Sequence, residues 1–172
     1  MLRGEKIVLR PLKKSDYKKT LNWRNDSEIT GLVMSHPFPI TEELEQGWYD
    51  RILTDMSNKS VYFGIDDKDG NFIGMVFLSD INFINGTCKF HIILGPKEAQ
   101  GKGYGRDALN LINDYVFKTL NLQKITLEVV ESNSKAIKLY ESIGFKIEGK
   151  LERQFFYSGK YDSVIIMSLF RN

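Results

Sequence analysis

The chain has 172 residues, 42% of them hydrophobic, which suits one domain over residues 1–172 with a single substantial core. A net charge of +2 gives no electrostatic reason to expect nucleic acid or a membrane surface as partner. A lone cysteine, Cys88, excludes an intrachain disulfide, and two histidines, His36 and His91, are too few for a typical zinc site. Residues 1–10 hold no apolar run of the signal-peptide kind, and no stretch approaches the ~20 apolar residues of a membrane span, so a cytoplasmic protein without a metal is expected.

In chain order, Ile7-Val8-Leu9-Arg10 reads as a short strand closed by Pro11. Ser15-Asp16 offers an N-cap to a helix ending near Asn25-Asp26, with Tyr17 and Leu21 on its apolar face. Thr30 to Pro39, with Gly31, Pro37 and Pro39, is expected to be irregular. Thr41, followed by Glu42 and Glu43, opens a helix to about Leu53, with Leu44, Trp48 and Ile52 as its buried face. Strands follow at Val61–Ile65 and Phe72–Ile81, joined by a turn over 66–71, and Asn85-Gly86 turns the chain back into a strand from Cys88 to Leu94. A helix over 103–118, a strand over 124–130, a helix over 134–143 and a strand from 146 to about 154 come next. Tyr157-Ser158-Gly159-Lys160 turns into a last strand, Tyr161 to Phe170. The order β-α-α-β-β-β-α-β-α-β-β predicts an α/β (α+β) domain. Its sheet is a single mixed one of about seven strands with helices on both faces.

Two motifs carry chemistry. In Gln100-Gly101-Lys102-Gly103-Tyr104-Gly105-Arg106, glycines recur at every second position where a strand gives way to a helix. Backbone N–H groups can converge there on an anion with the helix dipole behind them. The dinucleotide fingerprint needs a glycine where Arg106 stands, and the triphosphate loop needs Ser or Thr where Gly103 follows Lys102. The second motif runs from Asn133 through Ala136 and Tyr140 to Gly144-Phe145, after the strand 124–130.

Gln-x-x-Gly-x-Gly followed by Asn-x-x-Ala-x-x-x-Tyr and Gly-Phe resembles the GNAT superfamily of acetyl-CoA-dependent N-acetyltransferases. The N-terminal third is more loosely similar to the subgroup of ribosomal-protein, polyamine and nucleotide-sugar acetyltransferases. The resemblance implies a mostly antiparallel sheet whose one parallel pair, 88–95 and 124–130, splays around the cofactor. Acetyl-CoA is then the co-substrate, with its diphosphate on the N–H groups of Gly101, Lys102, Gly103, Tyr104, Gly105 and Arg106, beside Gln100. Its pantetheine arm would lie along Ile92, Ile93 and Leu94 and meet Asn133, and a backbone N–H near Leu94 would stabilise the carbonyl oxygen. Tyr140 would protonate or hydrogen-bond the departing sulfur. The same positions have plainer roles: Asn133 as a helix cap, and Tyr140 as a core aromatic sharing a face with Ala136 and Ile143. Cys88 has no histidine beside it in sequence, so direct attack by the amine is expected.

For the general base, Asp80, Glu128 and His91 are the candidates. In relatives the acceptor pocket forms from the first two helices, their connecting loop and the last hairpin. That nominates Trp23, Arg24, Asn25, Met34, His36, Phe38, Phe156 and Tyr157. Trp23-Arg24-Asn25 resembles the nucleotide-sugar subgroup, which favours an amino-sugar nucleotide or a protein N-terminus as acceptor. A polyamine, drawn by Asp26, Glu28, Glu42 and Glu43, is the alternative enzyme reading. A non-catalytic acyl-CoA-binding sensor is the alternative class. A homodimer is compatible with the sequence without being specified by it.

Overall fold

A computed structural model of the chain describes residues 1–34, 38–95 and 97–171. Eight strands form one sheet in the order β1-β2-β3-β4-β5-β6-β8-β7: β1 (Leu2–Arg3), β2 (Ile7–Pro11), β3 (Val61–Asp67), β4 (Phe72–Asn82), β5 (Thr87–Leu94), β6 (Lys124–Val130), β7 (Lys146–Tyr157) and β8 (Lys160–Phe170). The helices are α1 (Tyr17–Arg24), α2 (Ser27–Leu32), α3 (Glu42–Thr54), α4 (Tyr104–Asp114) and α5 (Ser134–Ile143). All neighbouring strands run antiparallel except β5 and β6. The strand beyond the expected seven is β1, two residues too short to show periodicity.

Helices cover both faces, and β4 shows why. Its Met75 and Phe77 pack with Leu12, Trp23, Ile29 and Tyr49 under α1–α3, whereas Val76 and Leu78 join Ala108, Leu109, Ile112 and Tyr140 under α4 and α5. This period of two sends alternate side chains into separate cores. The α4 helix extends through a π-turn, Tyr115–Thr119.

Three expectations are corrected. Thr30, Gly31 and Leu32 are helical, because Asp26 caps a separate short helix by accepting the Glu28 N–H at 2.8 Å; residues 35–37 of that stretch lie outside the described residues. Asp16 stands at the N-cap of α1, but its side chain makes no capping hydrogen bond to that helix and instead closes the preceding 3-10 turn, Lys14–Asp16. Its carboxylate accepts the Lys13 N–H at 2.8 Å and takes both terminal nitrogens of Arg10 at 2.8 and 3.0 Å, while Arg10 Nε donates to Asp66 at 2.7 Å. The third correction concerns α3, which buries Glu45 and Tyr49 and leaves Leu44 63% exposed.

Glu45 is fully buried, and its partners explain how. Arg24 donates to one oxygen at 2.6 Å and Thr20 to the other at 2.7 Å. The guanidinium also lies over the Trp48 ring, 5.2 Å from its centroid. A buried carboxylate is tolerated only when paired and hydrogen-bonded. Arg24→Ala is therefore expected to cost on the order of 3 kcal/mol, because it strands that charge. Adding Glu45→Gln should recover part of the loss. Denaturant melts of the single and double variants check both signs.

Candidate active site

The site begins where a strand pair fails. β5 and β6 pair only at Thr87–Lys124, Cys88–Ile125 and Lys89–Thr126. Beyond that point β5 stays paired with β4 through Leu94, and β6 with β8 through Val130. The facing edges of Phe90–Leu94 and Leu127–Val130 thus have no partner strand in each other. A cavity of about 870 Å³ opens there, lined by Ile92, Ile93 and Leu94 on one side and Leu127, Glu128 and Val129 on the other. That size lies within the ~300–1,000 Å³ usual for ligand sites.

The glycine loop closes one end. Gly101 and Gly103 have φ of 77° and 85°, and Gly103 is the N-cap of α4. Positive φ there suits glycine and lets the chain reverse tightly into the helix. Gly105 is already helical and instead gives room to Leu139 of α5, 3.5 Å from where a Cβ would stand. Gln100, Gly101, Gly103, Tyr104, Gly105 and Arg106 all line the cavity. Arg106 also donates to Ser142 at 2.8 Å, tying α4 to α5. Lys102 is not among the described lining residues; its carbonyl accepts from Lys6 Nζ at 2.8 Å. The arrangement fits a phosphate-bearing cofactor with a long polar arm: a cradle of N–H groups at a helix start, then a strand edge able to hydrogen-bond amides.

Asn133 lines the cavity and caps α5, its carboxamide oxygen accepting the Ala136 N–H at 3.2 Å. The cap uses only the oxygen and leaves the NH₂ group available. Tyr140, on the same helix, is 8% exposed and lines the cavity against Phe145. Burial pushes its hydroxyl up to about 12, so it keeps its proton at neutral and mildly alkaline pH. Burial likewise pushes the Cys88 thiol up to about 12, leaving essentially no thiolate at neutral pH.

The three base candidates separate. Asp80 pairs with Lys89 at 3.3 Å and is not among the lining residues. His91 and Glu128 do line the cavity, and the β5–β6 register carried two residues past Lys89–Thr126 sets them level on one face. His91 stacks on Phe77 at 4.4 Å, with Nε2 2.9 Å from Ser79 Oγ. Burial, with Lys89 adding to it, lowers its pKa from the usual imidazole value and keeps the ring neutral at pH 7. Glu128 is the one carboxylate among the described lining residues.

The acceptor residues named from sequence are mostly engaged elsewhere. Trp23 is buried, its indole against Phe72 at 5.1 Å and against Gly95, where a Cβ would come within 1.9 Å of the ring. Arg24 serves Glu45, and Asn25 binds Ile40 through both N–H and carbonyl at 2.9 Å. Phe38 is 65% exposed, and Phe156 packs on Tyr161. The Tyr157 hydroxyl donates to the Ser27 carbonyl. His36 lies outside the described residues. Of that set Met34 reaches the cavity, joined by Leu32, Val33, Gln154 and Phe155, which the sequence had not singled out. Gln154 and Phe155 owe their place to a register shift in β7 between Leu151 and Phe155, where Arg153 has φ of 52°. No sequence signal marks that bulge. A smaller cavity of about 320 Å³ shares Ile29, Leu32 and Gln100 with the first and is lined by Asp26, Glu28, Glu98 and Lys97. Glu42 instead accepts the Tyr17 hydroxyl at 2.6 Å, and Glu43 is exposed.

Among the described residues no helix is long and apolar enough to cross a membrane. Comparison with known proteins agrees with the geometry. Residues 6–146 match the acetyltransferase (GNAT) domain family. Spermidine N(1)-acetyltransferase of Vibrio cholerae is 37% identical over 161 residues, 94% of this chain and 91% of that protein. Its Escherichia coli K12 counterpart is 34% identical over 172 residues, 100% of this chain and 90% of that protein. The crystal structure of the V. cholerae spermidine N-acetyltransferase with CoA and spermine superposes with a TM-score of 0.88 at 35% identity, covering 95% of both chains. With a splayed parallel pair, a glycine loop at its mouth and these relatives, the chain belongs to the GNAT family and is an acetyl-CoA-dependent N-acetyltransferase.

Proposed function

We propose that this enzyme acetylates a primary amine of a polyamine, by direct attack of the neutral amine on the bound thioester. The observation that carries this reading is the near full-length likeness to a spermidine N-acetyltransferase structure bearing CoA and spermine. Local chemistry supports it. Trp23, Arg24 and Asn25, which pointed toward an amino-sugar nucleotide, are occupied by the fold, so the basis for that acceptor, and for a protein N-terminus, is weaker than for a polyamine. Glu128 supplies negative charge at the cavity, whose cations Arg106 and Lys135 belong to the glycine-loop end; in the adjoining cavity Glu28 pairs with Lys97, and Asp26 and Glu98 add two further carboxylates. A chain of ammonium groups is attracted by that distribution.

When bound, acetyl-CoA supplies an activated acyl carbonyl. The open edge of Ile92–Leu94 would hydrogen-bond its amide-bearing arm, with the Leu94 N–H toward the carbonyl oxygen. The loop from Gly101 to Arg106 would hold its diphosphate through backbone N–H groups, with Lys102 and Arg106 adding positive charge. Asn133 would donate its free NH₂ to the same arm. Glu128 would draw the ammonium in and accept its proton, directly or through water, beside neutral His91. Tyr140 would give the sulfur its proton from the other side of the sheet, where it packs with α4 and α5. The chemistry calls on no metal ion.

Two predictions test the mechanism. Tyr140→Phe should lower kcat by about 100-fold, with KM for acetyl-CoA within roughly twofold, because only a transition-state proton donor is removed. The raised Tyr140 pKa fixes the sign of the pH profile. The hydroxyl stays protonated while amines of pKa ~10 lose their protons, so kcat/KM should show no falling limb from Tyr140 up to pH ~10. Stopped assays of thiol release across pH measure both. For the acceptor, thiol release with spermidine, spermine, a monoamine, an amino-sugar nucleotide and an N-terminal peptide should favour the polyamines by at least about tenfold in kcat/KM. Glu128→Gln should raise KM for the polyamine by about tenfold, the worth of one charge-assisted hydrogen bond, and lower kcat by about 100-fold, because the same carboxylate takes the proton. Preference for the sugar nucleotide or the peptide would overturn the acceptor. Binding of CoA with no turnover of any amine would indicate a sensor.

A further inference from the structure

The turn between β1 and β2 is built into the end of α4. Asp107, in the first turn of that helix, accepts three backbone N–H groups from it: Glu5 at 3.3 Å, Lys6 at 2.7 Å and Ile7 at 3.1 Å. The approach is so close that a Cβ on Gly4 would stand 2.3 Å from Asp107 Oδ2. Lys6 makes a second tie, donating from Nζ to the Lys102 carbonyl at 2.8 Å. The same Nζ lies 3.0 Å from where a Cβ of Gly103 would stand. Meanwhile the Asp107 N–H holds the Gly103 carbonyl at 3.1 Å. One residue thus fixes the helix N-cap through its main chain and a distant turn through its carboxylate. Asp107 itself is not among the residues that line the cavity.

We infer that Asp107 is a positioning residue for the acetyl-CoA loop. It holds the turn Gly4–Lys6 against residues 102–103, so that the backbone N–H groups of 101–106 stay converged before the diphosphate arrives. The argument rests on the reading that this loop takes the diphosphate. Three hydrogen bonds to one carboxylate fix the helix start against a strand of the main sheet, and fixing a loop in its bound shape lowers the cost of binding. Such preorganisation acts on cofactor affinity and leaves the acyl-transfer step alone.

The test uses the full-length enzyme, steady-state kinetics, calorimetry with CoA, and thermal melts. Asp107→Ala should raise KM for acetyl-CoA and Kd for CoA by about tenfold, with kcat and the amine KM within roughly twofold. Asp107→Asn keeps one acceptor oxygen and should fall between. Gly4→Ala should reproduce the effect from the opposite side, by pushing the carboxylate away. In the Asp107→Ala background Gly4→Ala should add little, since the clash is gone. Gly4→Ala also serves if Asp107→Ala fails to fold. A lower melting temperature with unchanged Kd for CoA would overturn the inference, leaving Asp107 a structural tie. Additive effects of the two changes would overturn it as well. Gly103→Ala, strained at positive φ, checks the underlying reading: if it weakens CoA and Asp107→Ala does not, only the positioning role is lost. If neither weakens CoA, the loop assignment falls and the inference with it.

Discussion

The structure depends on hydrogen bonds that two adjacent strands do not make. After Lys89 and Thr126 the parallel pair separates, while each strand keeps its antiparallel partner on the far side. A sheet opened this way would normally leave buried N–H and C=O groups without partners, at a cost comparable to lost hydrogen bonds. The opening persists because β4 and β8 hold the two halves in register and because helices brace both faces. What would be a defect in a structural sheet becomes a slot whose walls are main chain, complementary to a ligand that is itself amide-rich.

Everything else at the site follows from where that slot ends. The loop 100–103 reverses direction at its mouth, with positive φ at Gly101 and Gly103, and brings the start of α4 to the cavity. Arg106 and Ser142 join α4 to α5, and α5 carries Asn133 at its start and Tyr140 near its end. A single pair of braced helices therefore sets the glycine loop, Asn133 and Tyr140, the proposed anion cradle, arm contact and proton donor, at fixed spacing.

The sequence was legible where chemistry constrains residue type locally. Glycines at alternate positions before an amphipathic helix, and Asn133, Ala136 and Tyr140 on another, identified the family and placed most cofactor-side residues at the cavity. It was poorly legible in the N-terminal third, for a physical reason. There α1 and α3 pack through Thr20, Glu45, Tyr49 and Arg24, so their buried faces are partly polar; apolar periodicity finds Tyr17, Trp48 and Ile52 at the edge of that core but misses its polar centre and wrongly includes Leu44. The Trp23-Arg24-Asn25 run looked like ligand chemistry because Arg beside an aromatic serves a buried carboxylate as well as it serves a phosphate. Gln154 and Phe155 were hidden by a bulge, and a strand that adds residues re-aims its side chains without changing its composition.

In the proposed mechanism the two faces of the sheet also divide the acid and base work. His91 and Glu128 share a face with Lys89 and Thr126, and His91 stacks on Phe77, which packs under α1–α3. Tyr140 belongs to the core under α4 and α5. A thioester lying in the slot would be approached by the amine from one face and lose its sulfur toward the other. The environments are tuned accordingly: Tyr140 lies in an apolar setting that favours its neutral, proton-carrying form, whereas Glu128 is solvent-exposed and keeps access to water for proton relay. Opening the sheet would thus accommodate the cofactor and, by the same displacement, give both faces access to one carbon atom.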